Sequence, residues 1–277
     1  MSSPNLGKRC FAEFVGIALV LFIGNSSVVC GVALGAVNLY NLWAVGLIWG
    51  GAVAFAVYLV GSISGAQLNW QVTIPMMLRR KMPVKDGIAY MISQLIGAII
   101  GGGALVYYMW EPYIVDFETK MGIVRGQVGS ELSGMLFYCS SPHPAIRSAM
   151  GWSYDIIPPA LYFFAEAAMA FFLVLMIFAL TDERNPGRPG GLGAAVIIGL
   201  VIAIGIAIEA PIGMCAFGPV RDLGPRIWAY LMGWGEMAFP GSRGLWWVPT
   251  ISTIVGGVIA AYFYDFLIRP SLPKTEK

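Results

Sequence analysis

Apolar residues run along this chain in long blocks that charged positions interrupt only at intervals. Between Phe14 and Leu78 no charged side chain occurs over 65 residues, whereas a membrane-spanning helix needs only about 20. That stretch therefore predicts more than one crossing. Further uncharged runs cover 87–110, 167–180 (reached through Glu166), 190–208 and 244–264, and the first long run divides at a polar region near 35–41. The pattern predicts six spans, near 10–33, 40–61, 86–109, 158–180, 190–208 and 247–268.

Two pieces, 64–79 and 213–231, are too short or too polar to cross alone. Short, Gly/Pro-interrupted segments at matching places in two halves predict half-helices around a midplane site. The halves match: Ala-Glu-Phe (12–14) opens the first and Ala-Glu-Ala (165–167) opens the fourth span, with Asn69 following Glu13 by 56 residues and Gly218 following Glu166 by 52. Three spans per half, an odd number, makes the second copy run inverted. The expected organisation is one transmembrane domain over 1–277, with repeat one about 8–110, an outer loop 111–157, repeat two about 158–269 and a tail 270–277.

Composition agrees with this reading. Hydrophobic residues make up 58%, charged residues 12%, and the mean hydropathy is +0.74, too apolar for a water-soluble globule to hide. The formal charge of +2 suggests no nucleic-acid partner, so the placement of charge matters more than its sum. With the amino terminus inside, Lys8, Arg9, Arg79, Arg80, Lys81, Lys85, Arg184, Arg188, Arg269, Lys274 and Lys277 face the cytoplasm, and Lys120, Arg125, Arg147, Arg221, Arg226 and Arg243 lie outside or in the pore. Eleven against six predicts both termini in the cytoplasm. Lys8 and Arg9 lead into a long first span rather than a cleavable signal.

Several features read as structural. The Gly-x-x-x-Gly pairs 31/35, 46/50, 61/65 and 97/101 let helix backbones approach closely. Cys10, Cys30, Cys139 and Cys215 lack metal-ligand spacing, and His143, in Ser-Pro-His-Pro of the outer loop, reads as a solvated residue. No metal cluster, phosphate loop or nucleophile motif occurs, so neither an enzyme nor a cofactor is expected.

Ionisable groups inside the spans are costly unless paired or wetted. Glu13 and Glu166 occupy matching places; each either accepts hydrogen bonds from irregular backbone before a half-helix or serves a proton relay, and the first reading is preferred. Arg221 either pairs with the adjacent Asp222 or lines a pore, the latter preferred. Glu209, just beyond the fifth span, reads as a solvated mouth residue or a charge tuning access.

Trp49 in Leu-Ile-Trp-Gly, Val-Gly-Ser-Ile-Ser-Gly-Ala-Gln-Leu-Asn (60–69), Asp-Phe-Glu (116–118), Ile-Val-Arg-Gly (123–126), Leu-Thr-Asp (180–182), Arg-Asp-Leu-Gly-Pro-Arg (221–226) and Gly-Trp-Gly (233–235) resemble the glycerol-facilitator branch of the aquaporin family over essentially the whole chain. The resemblance implies a right-handed all-α bundle of six helices plus two half-helices, cytoplasmic termini, and a homotetramer in the cell membrane with one pore per subunit. Its two Asn-Pro-Ala motifs correspond to Asn69-Trp70-Gln71 and Gly218-Pro219-Val220, and its histidine before the first motif to Gln67. In the outer constriction Trp49 and Arg221 are retained, whereas an aromatic becomes Cys215 and a glycine becomes Ile206.

The expected mechanism follows from physics. Amino ends of two half-helices, roughly +0.5 charge each, repel cations at the midplane. Carbonyls of Gly65, Ala66, Gln67 and Leu68, and of Met214, Cys215, Ala216 and Phe217, offer acceptors that replace a neutral solute's lost water. Trp49 offers an apolar face to a carbon backbone, while Arg221 and Asn69 donate. A passive channel for glycerol and other small uncharged solutes, with water, is the leading reading. A channel-like scaffold with an occluded or altered pore, reached by divergence or redesign, and a secondary transporter are the alternatives. Trp70 bears on this choice, because its ring goes either into the pore or sideways between helices. Sideways is preferred, with Gly218 leaving room for the ring and pore-lining carbonyls or Gln71 taking its N–H. The Cys215 thiol either faces the lumen or is packed and inert.

Overall fold

A computed structural model describes residues 4–34, 41–190 and 193–273. Gly35, most of the expected division near 35–41, and Lys274 and Lys277 lie outside them. Among the described residues six helices are long and apolar enough to cross a membrane: α1 (Leu6–Val32), α2 (Leu42–Ser64), α4 (Val84–Met121), α5 (Pro159–Thr181), α6 (Gly193–Gly213) and α8 (Val248–Ser271). Between them sit two short helices, α3 (Trp70–Leu78) and α7 (Pro219–Ala229). The protein is a multi-pass helical membrane protein.

Local chemistry sets the ends of these elements. Asn5 and Asn41 cap α1 and α2, their side chains accepting from Lys8 N and Ala44 N at 3.0 Å. Helix α2 stops at Gly65, whose φ of +86° few other residues tolerate. Each half-helix is preceded by irregular chain, 65–69 or 214–218, in which positive φ angles recur at corresponding places. Gly65 (86°), Ala66 (46°) and Leu68 (59°) match Met214 (69°), Cys215 (54°) and Phe217 (57°). Left-handed backbone in non-glycine residues costs about 1 kcal/mol each, so something must hold these segments.

Packing of the long helices relies on glycine where backbones touch. A Cβ on Gly50 would strike the carbonyl oxygen of Gly199, one on Gly199 that of Gly50, and one on Gly46 that of Ala203, which locks α2 against α6. The repeats also use equivalent contacts internally: Gly97 of α4 faces the Phe14 carbonyl, and Gly256 of α8 faces the Ala167 carbonyl, one residue after Glu13 and Glu166 respectively. The 61/65 pair is different from expectation. Among the described residues nothing comes closer than 3.7 Å to a Cβ at Gly61 and nothing within 4 Å at Gly65, so Gly65 serves the turn rather than packing.

The third span is longer than the hydropathy pattern indicates. Helix α4 continues for 38 residues to Met121, so residues 111–121, assigned from sequence to the outer loop, are helical. Its middle widens into a π-helical stretch, Ile99–Leu105, where Gly102 meets Leu21 and Pro225, and Gly103 meets Trp228. The rest of the loop folds inward, burying Met135, Leu136, Phe137, Tyr138 and Cys139 with Trp234. Arg125 stacks 4.4 Å over the Trp234 ring while its Nε donates to Glu118 at 2.9 Å. On the face carrying both termini, Arg9 pairs with Asp86 at 2.7 Å, Arg269 with Asp182 at 3.0 Å, and Arg79 with Asp265.

Candidate transport pore

Buried carboxylates hold the two irregular segments. Glu13, fully buried, accepts from the backbone N–H of Gln67 at 3.0 Å and of Leu68 at 2.6 Å. Glu166, also fully buried, accepts from Ala216 N at 2.9 Å. Each carboxylate takes up N–H groups that would otherwise be orphaned in a low-dielectric interior. Gln94 extends the first network, its Nε2 donating to Glu13 at 2.8 Å and to Thr73 at 3.0 Å. A polar residue in the middle of the third span was its visible signal in the sequence.

The half-helices meet at Asn69. Its Oδ1 accepts from Trp70 N at 2.9 Å and from Val220 N of the opposite half-helix at 3.0 Å, leaving Nδ2 as the free end of that amide. Gly218 returns no such contact, since it caps α7 without a side chain. Pro219 occupies the first turn of α7, where its missing N–H costs nothing.

A cavity of about 180 Å³ runs beside this junction. Gly65, Ala66, Gln67, Leu68, Asn69 and Gln71 line it from the first repeat, and Cys215, Ala216, Phe217 and Arg221 from the second. Ile198, Ile202 and Ile206, spaced by four along α6, form an apolar wall opposite Ile17, Val20 and Leu21 of α1. Trp49, Ile206 and Arg221 are shared with a second space of about 350 Å³ that opens away from the termini and also touches Met214 and His143. These three residues therefore form the neck between chamber and vestibule. There the Arg221 guanidinium stacks 4.9 Å from the Trp49 ring centroid, so cationic donors and a carbon surface lie side by side at the neck. Cys215 borders the chamber below the neck and is 2% exposed.

The two alternatives for Arg221 separate here, and other sequence expectations are corrected. Asp222 does not pair with Arg221; it binds Arg226 at 2.8 Å, an i,i+4 partner, and accepts from Cys139 N at 2.7 Å. Arg226 in turn donates to Cys139 O at 2.6 Å and Ala238 O at 2.7 Å, pinning the inward-folded loop to α7. Arg221 is thereby left for the neck. Glu209 lies within α6, 3% exposed beside Cys215, and neither carboxylate oxygen makes a hydrogen bond of ordinary geometry; it is not a solvated mouth residue. His143 is 8% exposed rather than solvated, its Nδ1 accepting from Ile146 N at 3.2 Å to cap Pro144–Met150, and burial lowers its pKa to about 4. Trp70 is turned out of the chamber, but its Nε1 donates to Met91 O of α4 at 3.0 Å, not to pore carbonyls or Gln71. The room beside Gly218 is taken by the Gln71 amide instead.

Comparison with known proteins decides the family. The major intrinsic protein model matches residues 1–264. The chain belongs to the major intrinsic protein family. Among relatives in this family, the glycerol uptake facilitator protein of Haemophilus influenzae is 35% identical over 272 residues, covering 97% of each chain. That of Escherichia coli K12 is 36% identical, covering 98% of this chain and 92% of its own. The propanediol uptake facilitator of Salmonella typhimurium is 34% identical, covering 98% and 97%. Among solved structures, the aquaglyceroporin from Plasmodium falciparum superposes with a TM-score of 0.79 at 26% identity, over 96% of this chain and 98% of that one. These matches put the chain in the aquaglyceroporin branch of the family.

Proposed function

We propose that this protein is a passive channel for glycerol and other small uncharged solutes, with water. The observation that carries this reading is the neck: Trp49 and Arg221 stack where the vestibule narrows into a chamber walled by two positive-φ backbone segments. A polyol can exchange its hydrogen bonds with water for those of the Arg221 guanidinium, the carbonyls of 65–68 and 214–217, and the Asn69 Nδ2, at little net cost. Its carbon side meets Trp49 and the isoleucine wall. A cation meets Arg221 and two half-helix amino ends and loses hydration that nothing returns. Glu13, Glu166 and Asp222 act as supports, since their oxygens are occupied by backbone N–H groups, Gln94 or Arg226. Such carboxylates are poor proton carriers. With Trp70 outside the chamber, the occluded-scaffold alternative loses its main obstacle to flow.

On the same reading the chain is a single transmembrane domain of the cell membrane, with both termini cytoplasmic by the distribution of Lys and Arg. Four copies assemble with one pore each. Exposed Phe55, Ile88, Phe164 and Phe266 supply apolar surface for lipid and for neighbouring copies. The test is shrinkage and re-swelling of proteoliposomes in a glycerol gradient. Glycerol flux that rises linearly with concentration and ignores a proton gradient supports the channel. Saturable or proton-dependent flux would indicate a transporter, and absence of flux the scaffold.

A further inference from the structure

At the junction of the half-helices the two repeats are alike in backbone and unlike in chemistry. Asn69 brings an amide to the first, whereas its counterpart Gly218 brings nothing. Glycine is not required there by conformation. Its φ of −171° and ψ of 160° are extended backbone that any residue adopts. What a side chain would displace is the Gln71 carboxamide, because a Cβ at 218 would overlap it and lie within 2.5 Å of Asn69 Nδ2.

Gln71 is held for this role. It is 3% exposed, its main-chain carbonyl lies against Gly257 of α8, and its side chain lines the chamber next to Asn69. Its Oε1 is enclosed beside Gly218 without a hydrogen-bond partner among the described residues, so the position of the amide is set by the space that Gly218 leaves. We infer that Gln71 provides the midplane polar group of the second repeat, contributed from the first repeat across the junction, and that Gly218 is bare so that it can. The two half-helix caps are thereby replaced by an amide pair on one side of the passage. Asn69 presents only its Nδ2 donors, its oxygen being taken by Trp70 and Val220 N–H groups. Gln71 adds the second amide of the pair, its oxygen turned against position 218. A solute hydroxyl both donates and accepts, so it can bond whichever amide group faces it; the ligand class at this point is a neutral hydroxylated molecule. This assignment of ligand rests on the channel reading, but the steric exchange between positions 71 and 218 does not.

A four-member cycle tests both parts: parent, Gln71→Ala, Gly218→Asn, and the two combined, with Gln71→Met as an isosteric apolar control. In proteoliposomes, Gln71→Met is expected to lower glycerol permeability about five- to tenfold, the effect of one lost hydrogen bond at the barrier. Gly218→Asn alone is expected to lower it at least as much and to drop the thermal midpoint in detergent by about 3–6 °C through overlap with Gln71. Combining Gly218→Asn with Gln71→Ala is expected to restore both readouts towards the parent. Unchanged glycerol flux in Gln71→Met, or a double variant no better than Gly218→Asn in stability, overturns the inference. A parent that carries no glycerol sinks the channel reading instead, and the thermal cycle, which does not depend on flux, then decides on the placement of Gln71.

Discussion

The two irregular segments before the half-helices share a backbone and differ in almost everything attached to it. Positive φ recurs at 65, 66 and 68 and at 214, 215 and 217, and each segment is held by a buried glutamate one helix away. Yet the first repeat surrounds its glutamate with Gln94 and Thr73, while the second tightens its half-helix through Asp222, Arg226 and the carbonyls of Cys139 and Ala238. The comparison teaches that this architecture fixes where carbonyls and N–H groups go and leaves the means of holding them open. Side chains at the junction are then free to diverge, as Trp70 against Pro219 shows.

The comparison is broken most severely at its shared element. Glu13→Ala leaves the N–H groups of Gln67 and Leu68 and the Gln94 amide without their acceptor, and Glu166→Ala strips Ala216 N. Both are expected to cost about 3–5 kcal/mol, with Glu13→Ala the worse because more partners are orphaned. Thermal unfolding in detergent measures the order, and a milder Glu13→Ala would refute it.

Where the repeats meet, Gly50→Val is expected to cost about 1–3 kcal/mol or more by forcing α2 from α6. Gly61→Val, with no close neighbour, is expected to change stability by under about 0.5 kcal/mol. Equal effects would mean that backbone contact is not what the glycines serve.

The connector between repeats adds a pH dependence of its own. His143 is neutral when folded because burial lowers its pKa to about 4, whereas the unfolded chain protonates near 6.5. Its contribution is therefore level above pH 6.5 and turns against folding as pH falls from there towards 4. Between pH 7 and pH 5 the parent is expected to lose about 2 kcal/mol that His143→Asn does not lose. Parallel curves for the two proteins would show that this histidine does not titrate with folding.

At the small end, Trp70→Phe removes the hydrogen bond to Met91 O and is expected to cost about 1 kcal/mol with glycerol permeability changed less than about threefold. A rise of orders of magnitude would mean that the ring obstructs the passage after all.

The six spans and both half-helices were legible because uncharged runs of membrane length, and two runs too short to cross, are properties of hydropathy alone. Glu13 and Glu166 were legible for a related reason, since a carboxylate inside a span must be accounted for. What escaped has a common cause. The extension of α4 to Met121 passes through Glu111, Asp116, Glu118 and Lys120, and a helix that leaves the bilayer looks like a loop to a hydropathy reading. Glu209 and His143 were placed by distance along the chain, but Glu209 is enclosed by α6 continuing to Gly213, and His143 by a loop that folds inward. Asp222 was weighed against its sequence neighbour Arg221, although residues four apart face each other on a helix and Arg226 stood at that spacing. The relation of Gln71 to Gly218 was invisible because 147 positions separate them and only the folded junction makes one the occupant of the other's space.

The length of α4 also gives the molecule a tall side and a short side. Its 38 residues extend about 57 Å at 1.5 Å per residue, nearly twice the ~30 Å of hydrocarbon. Its first turn is tied by Asp86 to Arg9 on the face of the termini, so most of the excess projects from the other face, where Asp116 and Lys120 pair in the open. The vestibule therefore sits beside a rigid post. A probe tracing the two surfaces of a membrane patch would register a ridge on one and a low floor on the other, and a tag placed after Met121 would stand clear of the lipid headgroups.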